Sequence, residues 1–254
     1  MGLKVEWFGE FHGAPAGEEG WALLGDLRDA RPVATSRTTR TDAGLIDLPA
    51  GAVNVHRKVY EYRGIGALLR GAFRTTFAAP GRARREADAL RSLGTSGFAP
   101  PPVGLGERRV AGFLVESRLA VRTVEGATQL DGTPPALDLA RALGRRIGMV
   151  HRAGLGELSL SPRNVLAARS PEGSWSLAKV DSGRLRRVVV GGLLQARDIA
   201  DLLAGLEGRW RAEEMAAFHE AYAAEAGGIP GGTEDAMAAA RERLRRRLPR
   251  TRTT

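Results

Sequence analysis

The chain has 254 residues, 26% charged and 43% hydrophobic, with a formal net charge of +9, long enough to bury the core of one large or two-lobed domain. It has no cysteine, which excludes disulfides and thiolate metal sites and fits a reducing compartment; the four histidines (His12, His56, His151, His219) are too scattered for structural zinc. Three of the 38 basic residues are lysine (Lys4, Lys58, Lys179) and the rest arginine, an excess that favours nucleic acid, phosphorylated sugars or an anionic membrane surface as partners.

The opening MGLKVEWFGEF lacks a basic stretch leading into an apolar core, and the apolar run from Val188 to Leu194 is too short to span a bilayer. A cytoplasmic, non-integral protein is expected. Residues 1–30 read as a Gly-rich N-terminal extension without assigned chemistry, with Trp7, Phe8, Phe11 and Trp21 as packing anchors. From Ala34 to Tyr62 the pattern is β: a Thr/Arg-rich strand, Gly44 to Leu48, a turn at Pro49-Ala50-Gly51, and a strand from Val53 to Tyr62. In that last strand Val53, Val55 and Val59 share one face, and Asn54, His56, Lys58 and Tyr60 share the other.

Arg82 to Leu93 reads as a helix closed by Gly94 and Gly97, and Pro100 to Pro102 leads to a strand over Ala111 to Glu116. Leu139, Leu143, Ile147 and Val150 recur at helical spacing and predict a buried stripe that delivers the chain to His151. Two short strands, Asn164 to Ala168 and Trp175 to Asp181, are followed by helices whose apolar positions include Ile199, Leu202, Leu206, Phe218, Tyr222 and Ala240. The end of the chain, from Arg241 on, is an Arg-rich tail; it reads as a solvated helix end, or as a contact for anionic lipid or nucleic acid.

Phosphoryl transfer needs a cation on the phosphates, metal ligands, and a carboxylate to orient the attacking hydroxyl. Lys58, on the polar face of its strand, suits the first role, with Glu86 on the following helix as counter-ion. Asn164 and Asp181, at neighbouring strand ends, could converge on one Mg²⁺. The catalytic loop H-R-D-L-x-x-x-N sets aspartate five residues before asparagine; five residues before Asn164 stands Ser159, with Leu160 and Asn164 in register.

These residues carry a family resemblance. From about Val53 to Tyr222 the chain resembles the lipopolysaccharide kinase (Kdo/WaaP) family of the protein-kinase-like fold through Lys58-Val59-Tyr60, Glu86, His151-Arg152-Ala153-Gly154, Asn164 and Asp181. The resemblance implies an α+β, two-lobed fold: a small antiparallel N-lobe sheet with one helix over 31–116, a mainly helical C-lobe over 117–240, and the tail over 241–254. It implies ATP and Mg²⁺ as cofactors, Lys58 holding nucleotide phosphates and oriented by Glu86, and Asn164 with Asp181 on the metal. Phe113 to Arg118, including Glu116 and Arg118, resembles the hinge that pairs with adenine. Asp198 resembles the aspartate that braces the catalytic loop.

The chain departs from the family pattern where Ser159 replaces the expected aspartate. Glu157, two residues upstream, is a candidate substitute, although an extended dipeptide spans roughly 6.6 Å and glutamate outreaches aspartate by one methylene. No Gly-rich loop precedes Lys58, and His56 stands where a small residue usually lies over adenine. The expected function is a nucleotide-binding pseudokinase or weak phosphotransferase. The alternatives are an active ATP-dependent kinase acting on a sugar hydroxyl of a lipid-linked or small substrate, and a basic adaptor for anionic membrane or nucleic acid through the tail. Nucleotide is the expected partner, with peripheral membrane contact through the tail; nucleic acid is the less favoured one.

Overall fold

The computed structural model describes residues 2–36, 38–62, 80–157 and 160–247. The chain forms two compact units: residues 1–92 with 100–123, and residues 93–99 with 124–254.

The first unit is built on a six-stranded antiparallel sheet of β1 (Gly2–Trp7), β2 (Arg28–Thr35), β3 (Thr39–Leu48), β4 (Gly51–Glu61), β5 (Pro102–Val110) and β6 (Phe113–Arg122) in the order β1-β5-β6-β4-β3-β2. Alternation in β4 buries Val55, in one cluster with Ile46, Leu48 and Val103, and also Val59, as a period-2 pattern requires. Tyr60, expected on the polar face, is buried as well. Arg57 also lies on the buried side. Its guanidinium donates to Asp42 at 2.7 Å and to the carbonyls of Leu24 and Gly25, the compensation a buried cation needs. One helix, α1 (Gly17–Leu23), precedes β2, and a second, α2 (Arg82–Gly94), follows β4.

Residues 1–30 are not a separate extension. β1 pairs with β5 from Gly2↔Arg109 to Trp7↔Gly104, and Trp7, Phe8, Phe11 and Trp21 are buried. Gly104 and Gly106 make room for this: a Cβ on either would come within 2.7 Å of the Trp7 ring or 2.8 Å of the Trp21 ring. Large aromatic faces are thereby removed from water.

The second unit centres on α3 (Leu137–Arg152), whose Leu139, Leu143, Ile147 and Val150 stripe is buried as its spacing predicts. It packs on α5 (Ala212–Ala226) through Phe218 and Tyr222. β7 (Thr128–Gln129) precedes α3, and between α3 and α5 in the chain come β8 (Leu155–Glu157), β9 (Val165–Arg169), β10 (Trp175–Lys179), β11 (Leu185–Arg187) and α4 (Leu193–Leu206). The strands form a β10-β9-β7 sheet and a β11-β8 pair.

The last helix, α6 (Thr233–Arg247), packs Ala240 on Ala200 and Ala204 of α4. Arg241 pairs with Glu207 and Arg243 with Asp201, both at 2.5 Å. The first part of the expected tail is therefore an integral helix, and residues 248–254 lie outside the described residues. The passage between units falls at 123/124, seven residues beyond the expected boundary, because β6 runs on to Arg122. No helix among the described residues is long and apolar enough to cross a membrane.

Candidate active site

In the first unit, β4 carries Lys58 and α2 carries Glu86. The Lys58 ammonium donates to Glu86 Oε1 at 2.6 Å, and the Tyr60 hydroxyl donates to Glu86 Oε2. Glu86 is buried, whereas Lys58 is half-buried. Two donors on a buried carboxylate hold its charge in place and fix the lysine from below. Lys58 pairs with Glu86, and Tyr60, on the same strand face as Lys58, joins them as a second donor.

The hinge expectation requires correction. Phe113 to Arg118 is not a connector: it is the first half of β6, flanked by β4 and β5. Glu116 accepts from Arg108 at 2.9 Å and Arg118 at 2.8 Å, and Arg118 also donates to the Trp21 carbonyl and stacks 3.9 Å above the Trp21 ring. Both side chains are used to fasten the N-terminal segment to the sheet. The segment that leaves the first unit is Thr123–Val124, where Thr123 Oγ1 lies 3.1 Å from Nδ1 of the half-buried His56.

In the second unit, β9 and β10 place Asn164 and Asp181 at neighbouring strand ends: Lys179 pairs with Val165, and the Val180 N–H donates to the Asn164 carbonyl at 2.8 Å. Asp181 is exposed and adopts φ 59, a left-handed conformation that is unfavourable for a side-chain-bearing residue. The buried Lys179 ammonium donates to the Val180 carbonyl at 2.6 Å and sits 3.4 Å from that of Asp181, tying down the backbone on which this carboxylate is mounted. No group of three or more His, Asp or Glu among the described residues is placed to hold a metal ion. An exposed Asp181 beside Asn164 fits Mg²⁺, which binds through one or two protein oxygens together with substrate phosphates.

Ser159 lies outside the described residues; the segment leading to it is β8. Glu157 ends β8, paired with Leu185, and is 3% exposed. Its N–H donates to Asp198 Oδ2 of α4 at 2.5 Å. Asp198 is fully buried, with His151 Nε2 at 3.6 Å, and His151 Nδ1 lies 2.8 Å from the Tyr222 hydroxyl. Burial and the neighbouring Asp198 push the Tyr222 phenol above its ordinary value. Asp198 thus braces the loop through its backbone, joining α3, α4, α5 and β8.

No curated protein matches the chain. A solved structure described as WaaP in complex with acyl carrier protein is similar at 19% identity and TM-score 0.63, over 96% of this chain and 99% of that one. A Rio2 kinase–ADP/Mg²⁺–phosphoaspartate complex from Chaetomium thermophilum is 15% identical over 89% of this chain and 74% of that one, with TM-score 0.47. The WaaP likeness shows a kinase-like fold. The family described as lipopolysaccharide kinase (Kdo/WaaP) matches residues 33–222, three-quarters of the sequence, and the chain belongs to that family.

Proposed function

We propose that this family member is a nucleotide-binding pseudokinase, or at most a slow phosphotransferase. Lys58, held by Glu86, takes the nucleotide phosphates, and Asn164 with Asp181 takes Mg²⁺. Bound Mg²⁺ supplies charge neutralisation on the phosphates. The observation that carries the reading is the Lys58–Glu86 pair at 2.6 Å, reinforced by Tyr60, in a chain whose aspartate position is Ser159. A serine hydroxyl does not take a proton at neutral pH, so it cannot serve as general base for an acceptor hydroxyl.

Glu157 does not replace the missing carboxylate. It is buried, sits in a paired strand and is fastened through its N–H to Asp198, so turning its carboxylate out toward an acceptor hydroxyl would mean breaking β8. Asp181, by contrast, is exposed, as a ligand for an incoming Mg–nucleotide must be.

Thermal unfolding with ATP, with and without Mg²⁺, tests the reading. The wild type is expected to melt higher with Mg–ATP, and the shift to vanish in Lys58→Ala and in Asp181→Ala. No shift in the wild type, or an equal shift in both variants, would refute nucleotide binding at these residues. Rapid ATP-dependent transfer to a sugar hydroxyl by the wild type would instead make it an active kinase. The adaptor reading is weakened by Arg241 and Arg243, which are engaged in ion pairs with α4 and its C-terminal end.

A further inference from the structure

The second unit carries an apolar projection that the proposed nucleotide site does not use. After β11 the chain turns through 188–192 into α4, and on this turn Val189 is 80% exposed, Val190 52% and Leu193 74%. The turn is fixed: Val188 N–H donates to the Gly154 carbonyl at 2.8 Å, Gly191 N–H donates to Gln195 Oε1 at 2.7 Å, and Gln195 Nε2 donates to the His151 carbonyl at 2.7 Å. Three branched apolar side chains are therefore held in water by a built turn, which marks an interaction surface.

Within its own stretch of chain the charge is one-sided, although a Cβ on Gly232 would lie 3.1 Å from Leu193 Cδ2, two and three residues before the exposed Glu234 and Asp235. Arg184, Arg186, Arg187 and Arg197 are exposed, and none of the four forms an ion pair among the described residues. No acidic residue occurs between Ser182 and Arg197. Elsewhere just over half of the arginines with described side chains form ion pairs, as with Arg28–Asp47, Arg84–Glu6, Arg152–Glu225 and Arg169–Asp138.

We propose that the turn 188–193 and its flanking arginines form a docking surface for an anionic lipid bilayer. Val189, Val190 and Leu193 enter the interfacial region, and the guanidinium groups meet headgroup phosphates, for which their planar donor fork is suited. A bilayer is the occupant that fits the pattern: the apolar groups protrude from one short turn with exposed arginines on both sides of it in the chain, the amphipathic arrangement with which a peripheral protein meets an anionic interface. This docking stands whether or not phosphate is transferred.

Co-sedimentation of the full chain with vesicles of phosphatidylcholine alone, and with phosphatidylglycerol added, tests it. Binding is expected only to the anionic vesicles, to fall about tenfold in Val189→Ser/Leu193→Ser, and to fall by a similar factor in Arg186→Gln/Arg187→Gln. It should persist in Arg250→Ser/Arg252→Ser.

Because the chain has no cysteine, Val189→Cys carrying an environment-sensitive fluorophore reports insertion directly, as a blue shift on anionic vesicles. The proposal is overturned by any of four results: no vesicle binding by the wild type, unchanged binding in the serine variants with no blue shift at 189, loss confined to the tail variant, or a vesicle-free change from dimer to monomer in the serine variants, which would make a second copy the occupant.

Discussion

At residue scale the chemistry rests on a few charges whose surroundings differ. Glu86 is buried and doubly donated to, so Lys58 is held as a fixed cation, while the loop position that would supply the opposite charge is Ser159. Restoring it by Ser159→Asp is expected to raise ATP-dependent phosphate transfer or release by about 10²- to 10⁴-fold. Phosphate-release kinetics check this, and a wild type already as fast as the variant would contradict the pseudokinase reading. His219 gives a pH prediction. Burial lowers its pKa below the ordinary imidazole value of 6.5, so the folded state favours the neutral ring. Its contribution is intact above pH 6.5 and is lost as pH falls through the lowered pKa. The melting temperature should therefore drop between pH 7 and pH 5, and by less in His219→Gln.

At the scale of elements, periodicity and small residues do most of the work. The α3 stripe was legible because four apolar residues at helical spacing can be buried only on one side. Its seat on α5 depends on Gly144, where a Cβ would run into the Phe218 carbonyl and come within 3.0 Å of the Tyr222 nitrogen. Gly144→Ala should destabilise the second unit by about 1 to 3 kcal/mol, despite the better helix propensity of alanine; denaturant unfolding measures it. A neutral or stabilising result would mean that the two helices separate freely. Alternation misled in β4, where the buried face includes Arg57, made tolerable by Asp42 and two carbonyls contributed from 15 to 33 residues away. No local pattern announces such partners. The hinge was misplaced for a similar reason: strand β6 continues past Arg118 because β4 and β5 pair with it on both sides.

For the whole molecule, ligand linkage is the sharpest check. If Mg–ATP binds only the folded state, stabilisation should grow with the logarithm of its free concentration and reach about 2.7 kcal/mol at a hundredfold excess over Kd. A plateau at low concentration would indicate binding to the unfolded chain as well. The order of elements, β-rich first and helix-rich second, together with Lys58, Glu86, Asn164, Asp181 and the serine at 159, was set by the sequence itself, because residue type and spacing along one strand or loop are local properties. Which groups share a buried environment was decided only by tertiary structure: Tyr60 beside Glu86, Asp198 beneath Glu157, Arg241 and Arg243 engaged with α4 and its C-terminal end, and the N-terminal aromatics over Gly104 and Gly106. Those pairings join residues 26 to 97 positions apart or rest on the space a missing side chain leaves, and a buried charge or a ring finds its partner through packing rather than through sequence proximity.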